Sequence, residues 1–121
     1  MKYNESNNRK FGAYGEKLAQ EYLIKNNYKI LEINFYCRQG EIDIIAKEKG
    51  EIIFVEVKTR TNERFGRPIE AINSKKKIHM YNAAKYFLYK NYLLNMPVRF
   101  DVVEVLLRNG KIRINQVKGV I

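Results

Sequence analysis

Residues 40–60 read GEIDIIAKEKGEIIFVEVKTR, and the conformation of this stretch decides the fold. Ile52 to Val55 form an apolar run of β-branched and aromatic residues, which is a strand before it is a helix. GEIDIIA is a second run of the same kind, and the EKGE between them is short enough to close a hairpin. Two features need a further explanation. Glu56 and Lys58 sit at the end of the second run, and Asp43 stands between Ile42 and Ile44, although strands deplete aspartate and burying a lone carboxylate is costly.

Side chains alternate along a strand, so Glu56, Lys58 and Arg60 share one face while Val55 and Val57 share the other. If Lys49-Gly50 is the whole loop, Glu48 faces Glu51 and Asp43 faces Glu56. The β-carbons of the two acids then lie ~4.5–5.5 Å apart, and their repulsion calls for a proton or a cation. A three-residue loop with a bulge would instead set Asp43 against Val55 and send the acids to opposite faces. Lys-Gly is a weaker turn signal than Asn-Gly, and both registers are open at this level.

Working outward, residues 1–9 read as a flexible polar tail and 10–121 as one domain. Phe11, Leu18, Ala19, Tyr22 and Leu23 have the spacing of one helical face, predicting a helix over 11–26. Strands are expected at 28–36, 41–47 and 51–59, followed by a loop from Thr61 to Pro68 punctuated by Gly66. A second helix is expected from an N-cap at Ser74 to Tyr89, burying Ile78, Tyr81, Ala84 and Leu88. Pro97 introduces the strand VRFDVVEVLL, and Asn109-Gly110 is a hairpin turn into Lys111 to Val117. The order αβββαββ predicts an α/β (α+β) fold with helices covering a mixed sheet.

The chain has 121 residues, enough for one core, and a formal net charge of +10. Such a basic excess favours an anionic partner, nucleic acid before an acidic membrane surface. The single cysteine, Cys37, forms no intramolecular disulfide and fits a reducing compartment. The lone histidine, His79, leaves no paired-histidine metal site and reads as a surface helix residue. MKYNESNNRK lacks an apolar signal segment, and no run approaches the ~20 residues needed to cross a bilayer. The expected location is the cytoplasm, with no membrane partner.

Glu16 borders the buried stripe of the first helix and can reach the sheet. With Asp43, Glu56 and Lys58 it completes a set suited to hydrolysing a phosphodiester. Mg²⁺ or Mn²⁺ takes hard oxygen ligands such as Asp43, Glu56 and the backbone carbonyl of Val57. Lys58 can orient the attacking water and stabilise charge on the phosphoryl oxygens. On the Glu-x-Lys tripeptide alone, a Glu56–Lys58 ion pair at a frayed strand end is the simpler explanation. Asp43 and Glu16 shift the balance toward a site.

The ordered set FGAYGEKLAQEYL, GEIDIIA, FVEVKTR, FGRPIEAI with a lysine-led helix, and RFDVVEV resembles the YraN-like family of small bacterial proteins, in the PD-(D/E)XK nuclease superfamily. The likeness spans about residues 10–107. It implies a restriction-endonuclease-like αβββαβ core similar to that of archaeal Holliday junction resolvases, and a metal-dependent endonuclease. By that resemblance Asp43 matches the metal-binding aspartate, Glu56 and Lys58 match the acid-x-lysine pair, and Glu16 matches the helix glutamate of resolvase-like members. Ile42 stands where the superfamily usually has proline, which supplies no ligand.

Lys75, Lys76 and Lys77 crowd the first turn of the second helix, where the macrodipole disfavours cations unless an anion uses them. With Arg60, Arg64 and Arg67 just upstream, they are the expected phosphate contacts. Phe54, Phe87, Phe100 and Tyr81 fall at core spacing, leaving Tyr14 and Tyr36 as candidates for base stacking. The expected activity is Mg²⁺- or Mn²⁺-dependent cleavage of nucleic acid, DNA before RNA, in branched or structured form. The alternative is a nucleic-acid-binding module that acts with a partner and does not cleave. A homodimer is expected by analogy with resolvases.

Overall fold

The computed structural model describes residues 5–61 and 72–121. The elements are α1 (Glu5–Lys25), β1 (Lys29–Cys37), β2 (Gly40–Glu48), β3 (Glu51–Arg60), α2 (Ser74–Lys90), β4 (Val98–Arg108) and β5 (Lys111–Val117). The strands form one five-stranded sheet in the order β1-β2-β3-β4-β5. Neighbours are antiparallel except β3 and β4, which are parallel and joined through α2. This is the mixed sheet and αβββαββ order of a restriction-endonuclease-like core. Among the described residues, no helix is long and apolar enough to cross a membrane.

Lys49 and Gly50 alone close the β2–β3 hairpin, with φ of 49° and 78°. Positive φ at both positions is the type I′ geometry whose twist matches paired strands. Asn109 and Gly110 repeat it between β4 and β5, at φ of 51° and 72°. The two-residue loop sets Glu48 against Glu51 and Ile44 against Val55, the register that directs Asp43 toward Glu56.

Each face of the sheet carries its own core. Phe54, Ile52 and Ile45 pack against Met80, Ala84 and Phe87 of α2. On the other face Ile53, Val55 and Val103 pack against Ala19 and Leu23 of α1. β3 is central and buried on both faces from Ile52 through Val57, as befits a strand with helices above and below.

Three expectations need correction. α1 begins at Glu5, so residues 5–9 are helix and not tail; this turn is polar and carries no periodic signal, yet extending a formed helix costs little. The N-cap of α2 is Asn73, one residue before Ser74, its side-chain oxygen accepting the Lys76 N–H at 2.9 Å. Either residue type caps well. Finally, α2 buries Met80, Ala83, Ala84, Phe87 and Leu88, whereas Ile78 and Tyr81 are 60% and 55% exposed. Apolar residues surround much of this helix, so spacing alone does not choose its inward face. Phe87, in edge contact with Phe35 and Phe54, decides it. The expected loop from Thr61 to Pro68, with Arg64 and Arg67, lies outside the described residues apart from Thr61.

Asp101 is fully buried in β4. It accepts hydrogen bonds from Arg99 Nε (2.9 Å) and Nη2 (3.0 Å), Gln116 Nε2 (2.8 Å) and the Gly119 N–H (3.1 Å). Arg99 also donates to Tyr28 and Glu51, and the pairing with Asp101 raises its pKa above the usual guanidinium range. Every lone pair has a partner, so this network holds β4 and β5 and has no capacity left for a ligand. Asp101→Ala leaves the Arg99 Nε, Gln116 Nε2 and Gly119 N–H donors without their acceptor and should cost about 3–5 kcal/mol, the usual loss on breaking a buried pair, read by urea denaturation.

Gly15 carries a second structural constraint, because a β-carbon there would lie 1.7 Å from Thr59 Oγ1 and 2.7 Å from Thr59 Cβ. Gly→Ala inside an exposed helix normally gains up to ~1 kcal/mol. Here the sign should reverse: Gly15→Ala pushes α1 off β3 and lowers stability by roughly 1–3 kcal/mol, measured the same way.

Candidate active site

The pairing of β2 with β3 stops at Ile44–Val55. Beyond it the strands go separate ways: residues 40–42 of β2 stay with β1, and residues 56–60 of β3 stay with β4. The sheet therefore forks at its centre. Asp43 belongs to neither ladder, and by the flanking pairs Ile33–Ile44 and Phe35–Ile42 its β1 neighbour is Asn34, which has φ of 50°. This irregularity explains why Ile42 and Ile45 both join the α2-side core, which strict alternation would forbid.

Asp43 Oδ2 accepts the Val57 N–H at 2.7 Å, replacing the ladder bond lost at the fork. The N–H and C=O of one residue in an extended strand face the same neighbour, so the Val57 carbonyl also opens toward Asp43. Glu56 is 5% exposed, and its carboxylate accepts a hydrogen bond from the Lys76 ammonium on α2. Lys58 Nζ lies 3.6 Å from Glu56 Oε1 and is about one-third exposed. Glu56 and Lys58 thus do form an ion pair, but on a strand that remains paired through Arg60 and so is not frayed.

Burial and neighbouring acidic charges raise the pKa of Asp43 and of Glu16. Burial, then the charges of Glu56 and Glu16, push Asp43 up to about 7 against the pull of the Val57 N–H. Glu16 is raised by burial and by Glu41 and Glu56. Close packing of α1 at Gly15 brings Glu16 to this position from the far face.

Asp43, Glu56, Lys58 and Glu16 are brought together as the sequence suggests. Lys75 and Lys77 are exposed, and Lys76 is half-buried with its ammonium on Glu56. The anion that uses Lys76 is therefore internal. Arg60 pairs with Glu104 at 3.7 Å, both side chains largely covered, so its charge is tied to the sheet. Glu41 was not singled out from sequence, although it stands two residues before Asp43. The Lys76 contact has no local signal, since it spans 20 residues across the hairpin-to-helix connection.

Among the described residues, no three acidic, histidine or cysteine side chains converge closely enough to hold a metal by themselves. The donors that do meet at the fork are Asp43, Glu56 and the Val57 carbonyl. All are hard oxygens, the type Mg²⁺ and Mn²⁺ select, and the mutual repulsion of the acids is what a cation would relieve.

Residues 15–105 match the model of Uncharacterised protein family UPF0102, the YraN-like family. A UPF0102 protein of Clostridium acetobutylicum is 51% identical over 102 residues, covering 84% of each chain. One from Clostridioides difficile is 50% identical over 106 residues, covering 88% of this chain and 93% of its own. One from Caldicellulosiruptor bescii is 48% identical over 117 residues, covering 93% and 97%.

A carboxyl that holds its proton to about pH 7 in the fold and to about 3.8 when unfolded binds protons more tightly in the native state. Its ionisation penalty is absent below pH ~4, grows as pH rises to ~7 and is constant above. Asp43→Asn should therefore be more stable than the parent at pH 8, by roughly 1–3 kcal/mol allowing ~1.4 kcal/mol per unit and the coupling to Glu56. The two should converge near pH 4. Urea midpoints across pH 4–8 test this.

Proposed function

The chain belongs to the UPF0102 family, and we propose that it is a nucleic-acid endonuclease of the PD-(D/E)XK type, hydrolysing phosphodiester bonds with Mg²⁺ or Mn²⁺. The observation that carries this reading is the fork, where Asp43, Glu56, Lys58 and the Val57 backbone meet at one opening in the sheet. Asp43, Glu56 and the Val57 carbonyl are the donors for the metal, which supplies Lewis acidity toward water and the phosphoryl oxygens. Lys58 is exposed enough to reach a phosphate while its ammonium stays over Glu56, so it can orient water and offset charge as the phosphorane forms. Glu16 adds to the negative charge that a divalent cation at this opening would offset. The +10 net charge draws the polyanion to a local pocket of acids, and DNA is the preferred polymer, in branched or structured form.

One contact favours a second reading. The Lys76 ammonium already sits on Glu56, a built-in cation where the nuclease needs a divalent one. If it stays there, the protein is a nucleic-acid-binding module that acts with a partner and does not cleave.

Labelled duplex, single-stranded, flap and four-way-junction DNA and structured RNA, each with Mg²⁺, Mn²⁺ or EDTA, separate the two. The nuclease reading expects metal-dependent product that falls about 10²-fold or more in Lys58→Ala, the usual loss of one charge-stabilising donor. It also expects no product from Asp43→Ala, and retained cleavage by Lys76→Gln. Absence of product with every substrate and metal, with salt-sensitive binding intact in Asp43→Ala, establishes the binding module.

A further inference from the structure

The outward side of α2 continues from the carboxylates as a line of hollows. The first, about 360 Å³, is lined by Tyr36, Lys75, Lys76 and His79, with Glu41 at its acidic end. The second, about 390 Å³, lies one to two turns on, against Lys85 and Tyr89. The third, about 570 Å³, is bounded by Tyr89, Lys90 and Tyr92. The three tyrosines on this line are 78% (Tyr36), 69% (Tyr89) and 95% (Tyr92) exposed. None of them is packing.

We propose that this face of α2 is a binding track for an unpaired strand of nucleic acid, running from the fork to the C-terminal end of the helix. Tyr36, Tyr89 and Tyr92 stack on bases, and Lys75, Lys85 and Lys90 contact phosphates. Aromatic rings interleaved with cations in a shallow groove are what sequence-tolerant single-strand binding uses, because every base offers a π-face. Charge argues for this occupant over a second copy of the chain. Between Glu70 and Asp101 there is no acidic residue, so a self-associated α2 face would set lysine against lysine. From Lys75 to Lys90 the helix rises ~22 Å at ~1.5 Å per residue, room for on the order of six nucleotides at the ~3.4 Å rise of a stacked strand.

The track deepens the nuclease reading, on which its direction toward the fork rests. It makes the substrate a structure with a single-stranded arm next to the cleaved bond, such as a flap or an open branch, and not a fully paired duplex.

The test is fluorescence-anisotropy binding of labelled dT oligonucleotides of 2 to 12 residues, and of a 12-base-pair duplex, all in EDTA so that cleavage plays no part. The parent should bind the single strand more tightly than the duplex, with affinity levelling off near six nucleotides. Tyr36→Ser, Tyr89→Ser and Tyr92→Ser should each weaken single-strand binding about 5- to 100-fold, in line with the stacking energy per base. Tyr→Phe at the same positions should restore it. Lys85→Gln with Lys90→Gln should flatten the salt slope by about 1.4, at ~0.7 per phosphate contact on a single strand. All these residues are exposed, so folding is retained. Unchanged affinity in the tyrosine variants overturns the track, as does tighter binding of duplex than of single strand, or a loss confined to self-association in sedimentation. Cleavage of the same oligonucleotides and of flap DNA in Mg²⁺ is read separately. Strand binding that depends on the tyrosines, without product, sinks the nuclease and keeps the track; product that is indifferent to the tyrosines does the reverse.

Discussion

The hydrogen bond from the Val57 N–H to the Asp43 carboxylate organises this molecule. A sheet that splits at its centre exposes backbone donors in the middle of a buried strand, and each unpaired donor costs about as much as a lost hydrogen bond. Asp43 supplies the missing acceptor from its side chain, so β2 and β3 can diverge without an orphaned N–H. Divergence lets β2 follow β1 and β3 follow β4, and the opening between them is where the charged residues meet. The carboxylate that makes the fork tolerable is also one on which the charge of Glu56 acts.

The charges at the fork are balanced by geometry drawn from both sides of the sheet. Glu16 arrives on α1 because Gly15 lets that helix close onto Thr59. Lys76 arrives on α2 because Asn73 caps the helix at the right residue and Phe87 sets its rotation. Neither helix touches the other's core, yet both deliver a charge to one place through the gap in the sheet. The second buried acid, Asp101, shows the contrast. It is ringed by donors from Arg99, Gln116 and Gly119 and is spent on structure, while Asp43 has one backbone donor and two acidic neighbours.

The outward face of α2 follows from how that helix is turned. Burying Met80, Ala83 and Phe87 leaves Ile78, Tyr81 and Tyr89 outside, so a helix rich in apolar residues presents aromatics and lysines to solvent. From Ser74 to Lys90 the helix carries no acidic residue, so its exposed aromatic side chains stand among charges of a single sign.

The sequence by itself determined the elements and their order along the chain. β-branched runs, Gly-containing turns and the odd placement of Asp43 and Glu56 were enough to read αβββαββ, but they left two registers open across the β2–β3 hairpin, and the two-residue loop that the fold adopts at Lys49-Gly50 chose between them. Glu16 was legible as a residue bordering a buried stripe. Tertiary structure alone decided the rest. Which face α2 buries was set by contacts with Phe35 and Phe54 on other elements, since a helix apolar on several sides has no preferred phase of its own. The ending of the β2–β3 ladder, and the arrival of Lys76 on Glu56, depend on residues that are neighbours in space and distant along the chain. Periodicity records only which side chains share a face of one element; where two faces meet is settled by packing.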